Sequence, residues 1–516
     1  MKTRPNIIFI LSDDQGHWAM NCAGNNELIT PNLNNLAATG ILFDNFFCTS
    51  PVCSPARASI LTGKIPSQHG VHDWIRKGNI KDINGDYGYQ GKDRPIDYLA
   101  NLALYTEILA DNGYNCGLSG KWHLGDSGRP RFGHRYWYSH AFGGSSYYNY
   151  QVFENGELKT KTKYLTEEFT DKALDFLDMQ KGCEEPFYLG VHYTAPHSPW
   201  EKEEHPAEIW ALYDDCEFNS VPNLPPHPWD NGMIYAFTPK KRRETLQGYF
   251  TAITAMDKQI GRIIDKLEEM NIREETIIIF TADNGMNMGH HGIFGKGNGT
   301  FPMNMYDSAI KVPFIISAPS KVEQGVINSN MHSHYDIFPT LIDYLQLEVA
   351  ETNNRFDTDV IVDLPGKSFA GVLNGKDYGS NGHVVIFDEY GPVRMIRTQK
   401  YKYVHRYPYG PHEFYNLEKD PSEDINLIYN EDYINEINNM RRDLVEWFKK
   451  WVNHECDGAN LAVTGSGQVD VVTSENGGRL AFCQNYVQKH DLNISQDDFK
   501  KLHSQSLDQY KLDGNS

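Results

Sequence analysis

Apolar runs of six to eight residues alternate with helix-like segments over the first two thirds of the chain. Five of these runs predict strands that are buried on both faces, because nearly every residue in them is apolar. They span residues 6–12, 114–119, 186–193, 276–281 and 312–317. The segments between them predict helices over residues 105–112, 240–270 and 335–345, with another beginning at Thr30-Pro31. Alternating strands and helices predict an α/β fold, with a large, mainly parallel sheet between layers of helices.

The pattern changes after Gly366, where short strands follow one another at close intervals. They are predicted over residues 384–389, 393–397, 401–406 and 412–417, and a helix follows over 433–452 with Trp447, Phe448 and Trp451 on its apolar side. Closely spaced strands without intervening helices favour an antiparallel sheet. We therefore predict two domains, an α/β domain over 1–375 and a smaller α+β domain over 376–516. The pattern in the tail, residues 453–516, supports no assignment.

Length and charge limit the function classes. A chain of 516 residues is too long for one ordinary core. Its formal charge of −20 argues against nucleic acid or an anionic membrane as a partner. A negatively charged substrate would have to be captured by local cationic groups, which favours a compact anionic group in a pocket over a long polyanion on the surface.

The sequence also suggests where the protein works. No apolar run approaches the roughly 20 residues that span a bilayer, and the first residues lack the pattern of a signal peptide. The eight cysteines are scattered without paired spacing, which is typical of reduced thiols. We expect a cytoplasmic protein as the chain stands, or a periplasmic or secreted one if a leader has been removed.

Polar clusters follow four of the predicted strands. They are Asp13-Asp14-Gln15-Gly16, Lys121-Trp122-His123, Thr194-Ala195-Pro196-His197 and Asp283-Asn284-Gly285. The carboxyl ends of parallel strands share one edge of a sheet, and that edge is where α/β proteins bind ligands. We expect the four clusters to meet in one site.

The first and last clusters together offer three carboxylates and one amide oxygen. Asp13, Asp14, Asp283 and Asn284 form a hard-oxygen donor set that suits Ca²⁺ or Mg²⁺ better than zinc. Neighbouring side chains on an extended strand point apart, so Asp13 and Asp14 need a turn, for which Gly16 offers the backbone freedom. The alternative is that each pair is a solvated loop or a helix cap.

A cysteine opens the predicted helix of Cys53-Ser54-Pro55-Ala56-Arg57, which continues as Ala58-Ser59-Ile60-Leu61-Thr62-Gly63. The positive end of the helix dipole would act on this cysteine and on any anion bound beside it. The alternative is a buried cysteine on a loop.

The run C-x-P-[SA]-R-x-x-x-[LM]-T-G resembles the signature of the type I sulfatases, members of the alkaline phosphatase superfamily, and the similarity extends over about residues 5–345 and the terminal sheet. The resemblance implies hydrolysis of a sulfate ester. It implies that a maturation enzyme oxidises Cys53 to formylglycine, and that Arg57 steadies this group. It also implies one Ca²⁺, with Mg²⁺ as the alternative, bound by Asp13, Asp14, Cys53, Asp283 and Asn284.

Other motifs extend the resemblance. Lys121 and His123 match the family's K-x-H pair, His197 matches its later histidine, and Lys296 its second sulfate-binding lysine. The resemblance implies that Lys121, His197 and Lys296 bind the sulfate group. His197 or Lys296 would then protonate the leaving oxygen, and His123 would act as the base that regenerates the aldehyde. One departure is Gly289-His290-His291-Gly292, where the family has G-E-H-G and His290 replaces the acid.

A small sulfated saccharide is the expected substrate. The segment 132–150 is rich in aromatic residues, which either stack on a substrate ring or pack beneath the sheet. Trp18 carries the same ambiguity, and His69 and His72 are expected to lie behind the site. Three alternatives stay open: a phosphonate monoester or phosphodiester hydrolase, an aryl sulfatase, and a metal-holding binding protein if Cys53 is never oxidised. The sequence predicts no oligomeric state.

Overall fold

The computed structural model describes residues 4–483 except 89, 132, 233, 235, 350–363, 377–381, 389–391 and 474–477. The strands up to the middle of the chain are β1 (Asn6–Ser12), β2 (Gly40–Phe43), β3 (Phe46–Phe47), β4 (Ile80–Lys81), β5 (Gly91–Lys92), β6 (Asn115–Lys121), β7 (His134–His140), β8 (Tyr150–Glu154), β9 (Glu157–Lys161) and β10 (Phe187–His192). The later strands are β11 (Thr276–Ala282), β12 (Asn287–Met288), β13 (Phe294–Gly295), β14 (Phe314–Ser317), β15 (Val326–Asn328), β16 (His332–Ser333), β17 (His383–Asp388), β18 (Val393–Thr398), β19 (Tyr401–Arg406) and β20 (Glu413–Asn416).

The α-helices separate these strands along most of the chain. They are α1 (Pro31–Ala38), α2 (Cys53–Thr62), α3 (Pro66–His69), α4 (Tyr105–Asp111), α5 (Leu165–Met179), α6 (Ala207–Trp210), α7 (Pro239–Glu269), α8 (Asp307–Ile310), α9 (Ile337–Tyr344), α10 (Ala370–Leu373) and α11 (Ile434–Trp451). Within the described residues, no helix is both long enough and apolar enough to cross a bilayer.

A ten-stranded sheet forms the centre of the molecule, in the order β15-β2-β14-β11-β1-β10-β6-β7-β8-β9. The five central strands, β11-β1-β10-β6-β7, are parallel to one another. Antiparallel strands β14 and β2 extend one side, and β8 and β9 extend the other. The predicted α/β fold with a mainly parallel sheet is confirmed.

Strand β1 shows why the interior of a central strand is apolar. Ile7, Phe9 and Leu11 point into the core on one face of the sheet. Ile8 and Ile10 point into the core on the other face. Side chains alternate across a strand, so a strand covered on both faces needs apolar residues at every position. Helices α2, α4 and α9 cover the first face, and α1, α5 and α7 cover the second.

The second sheet is antiparallel, in the order β17-β18-β19-β20, as predicted. Helix α11 packs on it through Ile437, Met440, Leu444 and Phe448. The domain boundary near residue 375 stays a prediction, and the predicted end of the first short strand, residue 389, lies outside the described residues. The same holds for residues 484–516 of the tail.

Two details differ from the sequence predictions. Part of the aromatic segment is strand β7, because its alternating pattern suits a sheet position beside β6. Helix α1 has Thr30 at its N-cap position, but the Thr30 hydroxyl accepts a hydrogen bond from the backbone N–H of Asn21. The carboxylate of Asp257 caps the helix instead, accepting from the backbone N–H groups of Asn32 and Leu33.

Buried charges join the two sheets. Asp307, at the start of α8, accepts hydrogen bonds from Lys402 over 2.6 Å and from Arg397 over 2.9 Å. Lys402 is fully buried and also pairs with Glu423, whose carboxylate accepts from the backbone N–H of Asp307. Each buried charge has a partner, which is the condition for tolerating it away from water. These contacts fix the small sheet against the large one.

Candidate active site at the carboxyl edge of the sheet

The four predicted polar clusters meet because β11, β1, β10 and β6 are neighbours in the sheet and run parallel. Asp13 directly follows β1, and Asp283 directly follows β11. Lys121 is the last residue of β6, and His197 lies five residues beyond β10. These side chains therefore project from one edge, as the sequence predicted for the placement of the clusters.

A buried cluster of acidic groups lies at this edge. Ligand atoms of Asp13, Asp14, Cys53 and Asp283 all lie within 4.8 Å of one another. Asp14 has a left-handed backbone (φ 60°), and its N–H donates to Oδ1 of Asp283 over 3.1 Å. The turn that brings the two carboxylates together is therefore at Asp14, and the expectation that Gly16 supplies it is wrong. Gly16 is needed for space, because a Cβ there would clash with the indole of Trp18.

Cys53 is the first residue of α2 and is buried at 4% exposure. Its Sγ lies 3.4 Å from Oδ1 of Asp13 and accepts a hydrogen bond of 2.9 Å from Nζ of Lys296. Burial and the neighbouring Asp13 raise the pKa of the Cys53 thiol to about 12. An unmodified Cys53 is therefore a neutral thiol at physiological pH, and a thiol is a much weaker nucleophile than a thiolate.

Arg57 lies one helical turn after Cys53 and connects three parts of the site. Its Nε donates to Oδ2 of Asp283 over 2.8 Å, and an Nη donates to the carbonyl of Lys121 over 3.0 Å. The guanidinium also lies 3.5 Å from Asp13, which forms an ion pair with Lys121. Burial alone would raise the pKa of Asp13, but Lys121, His197 and Arg57 hold it well below its usual range.

Lys296 and His197 face the second carboxylate. Nζ of Lys296 donates to Oδ1 of Asp14 over 2.6 Å, and Nε2 of His197 lies 3.7 Å from Oδ2 of the same residue. Nδ1 of His197 is 2.8 Å from the carbonyl of Ser198. A carbonyl only accepts, so Nδ1 carries a hydrogen, and Nε2 is the nitrogen that can exchange a proton at the site.

His123 is more deeply buried than His197. Its backbone is left-handed (φ 54°), and Nε2 donates to the carbonyl of Ile75 over 3.1 Å. Burial lowers the pKa of His123 well below its usual value, and Lys121 and Arg57 lower it further. The ring is therefore neutral, and Nδ1 carries a lone pair that has no hydrogen-bond partner in the described part of the chain. A Cβ at Gly143 would clash with this ring, so the neighbouring loop needs glycine there.

The acidic cluster fits a divalent cation of the hard-oxygen type. Oδ1 of Asn284 is buried and has no hydrogen-bond partner among the described residues. Its Nδ2 donates to Oδ1 of Asp14 over 2.8 Å, which places this amide among the carboxylates. A buried acceptor without a donor is costly unless something else satisfies it. Carboxylate and amide oxygens are the donors that Ca²⁺ and Mg²⁺ prefer.

A cavity of about 460 Å³ opens beside Cys53. Its lining includes His123, His197 and Lys296, and also three residues that the sequence analysis did not single out, Trp74, Gln90 and Asn298. Trp74 and Gln90 come from segments without a motif, and Asn298 lies in a 3-10 turn just after Lys296, so their position in the fold reveals their place in the wall. The volume is in the range of sites for small molecules.

The remaining predicted residues lie outside this cavity. His290 and His291 line a separate cavity with Trp18 and Lys311. Trp18 stacks on Tyr249, and His291 stacks on Tyr306. The family motif has an acid at the position of His290. An acid at this position would therefore lie away from the cavity that Cys53 lines.

Two further groups of predicted residues pack in the interior. His69 contacts the hydroxyl of Ser59 behind α2, and His72 is buried. Tyr138, Tyr147 and Tyr150, from the aromatic segment, are buried in the core, which favours the packing alternative for them. Phe132, the first residue of that segment, lies outside the described residues.

The parallel sheet, with a cysteine at a helix N-terminus and a charged cluster at its carboxyl edge, defines an α/β enzyme of the alkaline phosphatase-like class. The family model named Sulfatase matches residues 5–347, about two thirds of the chain, so the protein belongs to the sulfatase family and is a sulfuric ester hydrolase. A second model, named "N-sulphoglucosamine sulphohydrolase, C-terminal", matches residues 289–450.

Individual proteins are similar to the chain over most of its length. An N-acetylglucosamine-6-O-sulfatase of Bacteroides thetaiotaomicron is 26% identical over 522 residues, which cover 88% of each chain. An ulvan-active sulfatase of Formosa agariphila is 28% identical over 444 residues, 83% of this chain and 77% of the relative. A protein solved with its substrate D-glucosamine-2-N,6-O-disulfate has a TM-score of 0.71 and 24% identity, covering 87% of this chain and 98% of that one.

Proposed function

We propose that the protein hydrolyses a sulfate ester of a sugar, with formylglycine made from Cys53 as its nucleophile and one Ca²⁺ as its cofactor. The observation that carries the proposal is the meeting of Cys53 with three carboxylates and three cations at one edge of the sheet. The carboxylates are Asp13, Asp14 and Asp283, and the cations are Arg57, Lys121 and Lys296. The metal ligands would be Asp13, Asp14, Cys53, Asp283 and Asn284.

The charge of the site supports an anionic substrate. Three carboxylates and three cations cancel, so a divalent cation would give the site a local excess of positive charge. This excess suits a sulfate monoester, which carries one negative charge. It also opposes the formal charge of −20 of the whole chain, which would otherwise repel an anion.

Each cationic side chain has a defined task in this proposal. Ca²⁺ would supply Lewis acidity, and the hydrated aldehyde of formylglycine would supply a hydroxyl nucleophile. Lys121 and Lys296 orient the sulfate and offset the charge on its oxygens, which is greatest in the transition state. Arg57 holds Asp13 and Asp283 in place through the contacts described above.

The two histidines divide the proton transfers. His197 bears a hydrogen on Nδ1, which leaves Nε2 to carry the proton that the leaving oxygen receives. His123 is neutral and has its lone pair on Nδ1, so it suits removal of a proton from the second hydroxyl of the hydrated aldehyde. His123 is buried, whereas a quarter of the His197 side chain is exposed.

A saccharide substrate is supported by the relatives, one named for N-acetylglucosamine and one for activity on ulvan. The proposal requires a maturation enzyme, because converting the CH₂SH group of Cys53 to an aldehyde is an oxidation that needs an external oxidant. As for location, we propose the cytoplasm for the chain as it stands, or an exported location if it carries a leader.

The mass of the Cys53 peptide and the activity test the proposal together. In the native host, or in cells that contain a formylglycine-generating enzyme, we expect that peptide to be lighter by about 18 mass units. The Cys53→Ala variant should lose at least about a thousandfold in turnover of 4-nitrophenyl sulfate. Cys183→Ala is the matched control, because Cys183 is exposed.

Three results would contradict the proposal. They are an unmodified Cys53 in active enzyme, full activity of the Cys53→Ala variant, and faster cleavage of an aryl phosphonate than of the aryl sulfate.

A further inference from the structure

The cavity beside Cys53 has a charged part and a neutral part. The charged part contains Lys296, with His123 and His197 beside it. The neutral part is formed mainly by Trp74, Gln90, Ser145, Ser198, Pro199 and Asn298. Among the described residues that line the cavity, Lys296 is the one lysine, and arginine, aspartate and glutamate do not occur. Lys296 already contacts Asp14 and Cys53, so its charge belongs to the sulfate end.

Trp74 presents a fixed aromatic side chain to this cavity. Its indole Nε1 donates to the carbonyl of Gly465 over 3.1 Å, and its own carbonyl accepts from the N–H of Gln468 over 2.8 Å. Asp73 accepts a hydrogen bond from the Trp74 backbone N–H. The ring is held at Nε1 and the backbone that carries it at two points, so the side chain is pre-organised, and aromatic rings in pocket walls bind ring-shaped ligands.

Hydroxyl and amide groups complete the neutral part. Oε1 of Gln90 accepts from Asn79 over 3.0 Å, which fixes the orientation of its amide. The hydroxyl of Ser145 lies 2.8 Å from Nε2 of His140. Amides and hydroxyls form hydrogen bonds with sugar hydroxyls without adding charge. A second anionic group on the sugar would lose water here without gaining a cation from the described residues that line this part, which is costly.

We infer that the leaving group is a neutral sugar, so that the preferred substrate carries the scissile sulfate as its single charge. The inference rests on the proposed sulfatase activity towards saccharides and specifies its substrate class. Sugars with a uronic acid or a second sulfate are rejected by the neutral wall and by the overall charge of −20.

A matched pair of substrates tests the inference. We would measure kcat/KM of the matured enzyme for N-acetylglucosamine 6-sulfate and for glucosamine 2-N,6-O-disulfate, which differ in charge at one position. Galactose monosulfates and their disulfated counterparts extend the comparison to other sulfate positions. We expect the singly charged sugar of each cleaved pair to be preferred at least tenfold. Equal or better cleavage of the doubly charged sugar would overturn the inference.

Different results would refute the proposed function itself. Turnover of 4-nitrophenyl sulfate without turnover of any sugar would refute the saccharide substrate itself. Loss of aryl sulfate turnover as well would refute the proposed chemistry.

Adding a cation gives a second test. In the Asn298→Lys variant, we expect the ratio of kcat/KM for the disulfated sugar to that for the monosulfated sugar to rise at least tenfold. Asn298→Gln is the matched control and should leave the ratio unchanged. An unchanged ratio in Asn298→Lys, with aryl sulfate turnover retained, would place the sugar elsewhere and overturn the inference.

A Trp74→Ala variant should raise KM for the sugar more than it lowers kcat.

Discussion

Nε of Arg57 donates a hydrogen bond of 2.8 Å to Oδ2 of Asp283, and both side chains are almost completely removed from solvent. This contact joins the first turn after Cys53 to the end of the central strand β11. It therefore couples the position of the nucleophilic residue to the position of the acidic cluster. Removing either charge leaves the other one buried without its partner.

Arg57→Met should lower the free energy of unfolding by about 3–5 kcal/mol, because Asp283 and Asp13 then lose a buried cation. Denaturant unfolding measures this loss. Arg135→Met is the control, since Arg135 is exposed, and it should change stability by less than about 0.5 kcal/mol. If the free energy of unfolding of Arg57→Met lies within about 1 kcal/mol of the wild-type value, the ion pair contributes little to stability.

Calcium should stabilise the folded protein. After removal of metal with a chelator, Ca²⁺ at about 100 times its Kd should add about 2.7 kcal/mol to the free energy of unfolding. Thermal unfolding monitors the effect without any need for activity. The Asp14→Ala variant should lose the calcium-dependent rise in Tm, whereas Asp215→Ala, which changes an exposed acid, should keep it. Equal calcium-dependent shifts in both variants would exclude Asp14 as a ligand.

The ion pairs of Asp307 with Arg397 and Lys402 should make stability fall in acid. Burial alone would raise the pKa of Asp307, but Arg397 and Lys402 hold it well below its usual range. An acid with a lowered pKa in the folded state binds its proton first in the unfolded state. Its stabilising contribution is therefore complete above its unfolded pKa of about 3.9 and declines as the pH falls below that value.

Asp307→Asn tests this pH dependence. The variant should be less stable than the wild type by about 3–5 kcal/mol at neutral pH, and the difference should shrink below about pH 4. Urea unfolding at several pH values measures it, with Asp265→Asn, at an exposed position, as the control. A difference that stays constant down to pH 3 or below would contradict the assignment, since the unfolded pKa is about 3.9.

Gln468 should be important for the wall of the cavity. Its side chain accepts from the N–H of His72 over 3.0 Å and donates to the carbonyl of Gly70 over 2.9 Å, and it is fully buried. Its amide also donates to the carbonyl of Asp470, so Gln468→Ala should cost about 1–3 kcal/mol by removing the side-chain partner of three backbone groups. It should also raise KM for a sugar sulfate, because the loop that carries Trp74 is loosened.

An exposed glutamine provides the comparison for Gln468. Gln399→Ala removes a hydrogen bond to the carbonyl of Ser329 at the surface and should have little effect on either measurement. A stable Gln468→Ala protein with unchanged KM would show that the segment after α11 does not position Trp74.

The sequence predicted much of the sheet because its strands satisfy a strict local condition. Ile7 to Leu11 of β1 are buried in apolar cores on both faces of the sheet, so this run must be apolar and is visible without any knowledge of its neighbours. Strand β7 was missed because its aromatic and polar residues also suit a binding loop. Its pairing with β6 depends on contacts that the local pattern does not contain.

The candidate site, like the sheet, has parts that the local sequence predicts and parts that it does not. The motif around Cys53 and the polar residues after the strands could be identified from the sequence, because each lies at a fixed distance from a strand or helix that the sequence predicts. The turn at Asp14 was assigned to Gly16, because glycine is the usual residue for a left-handed backbone. The structure places that conformation at an aspartate and uses Gly16 for close packing against Trp18.

By itself, the sequence determined the α/β class, the polar edge of the sheet and the residues that meet there, because periodicity and short motifs are local properties of the chain. Only the tertiary structure decided which aromatic residues reach the cavity. Trp74 lines it because the segment around Gly465 and Gln468 returns from the far end of the chain to hold it. Such contacts join residues nearly four hundred positions apart, and their geometry depends on how the whole molecule packs.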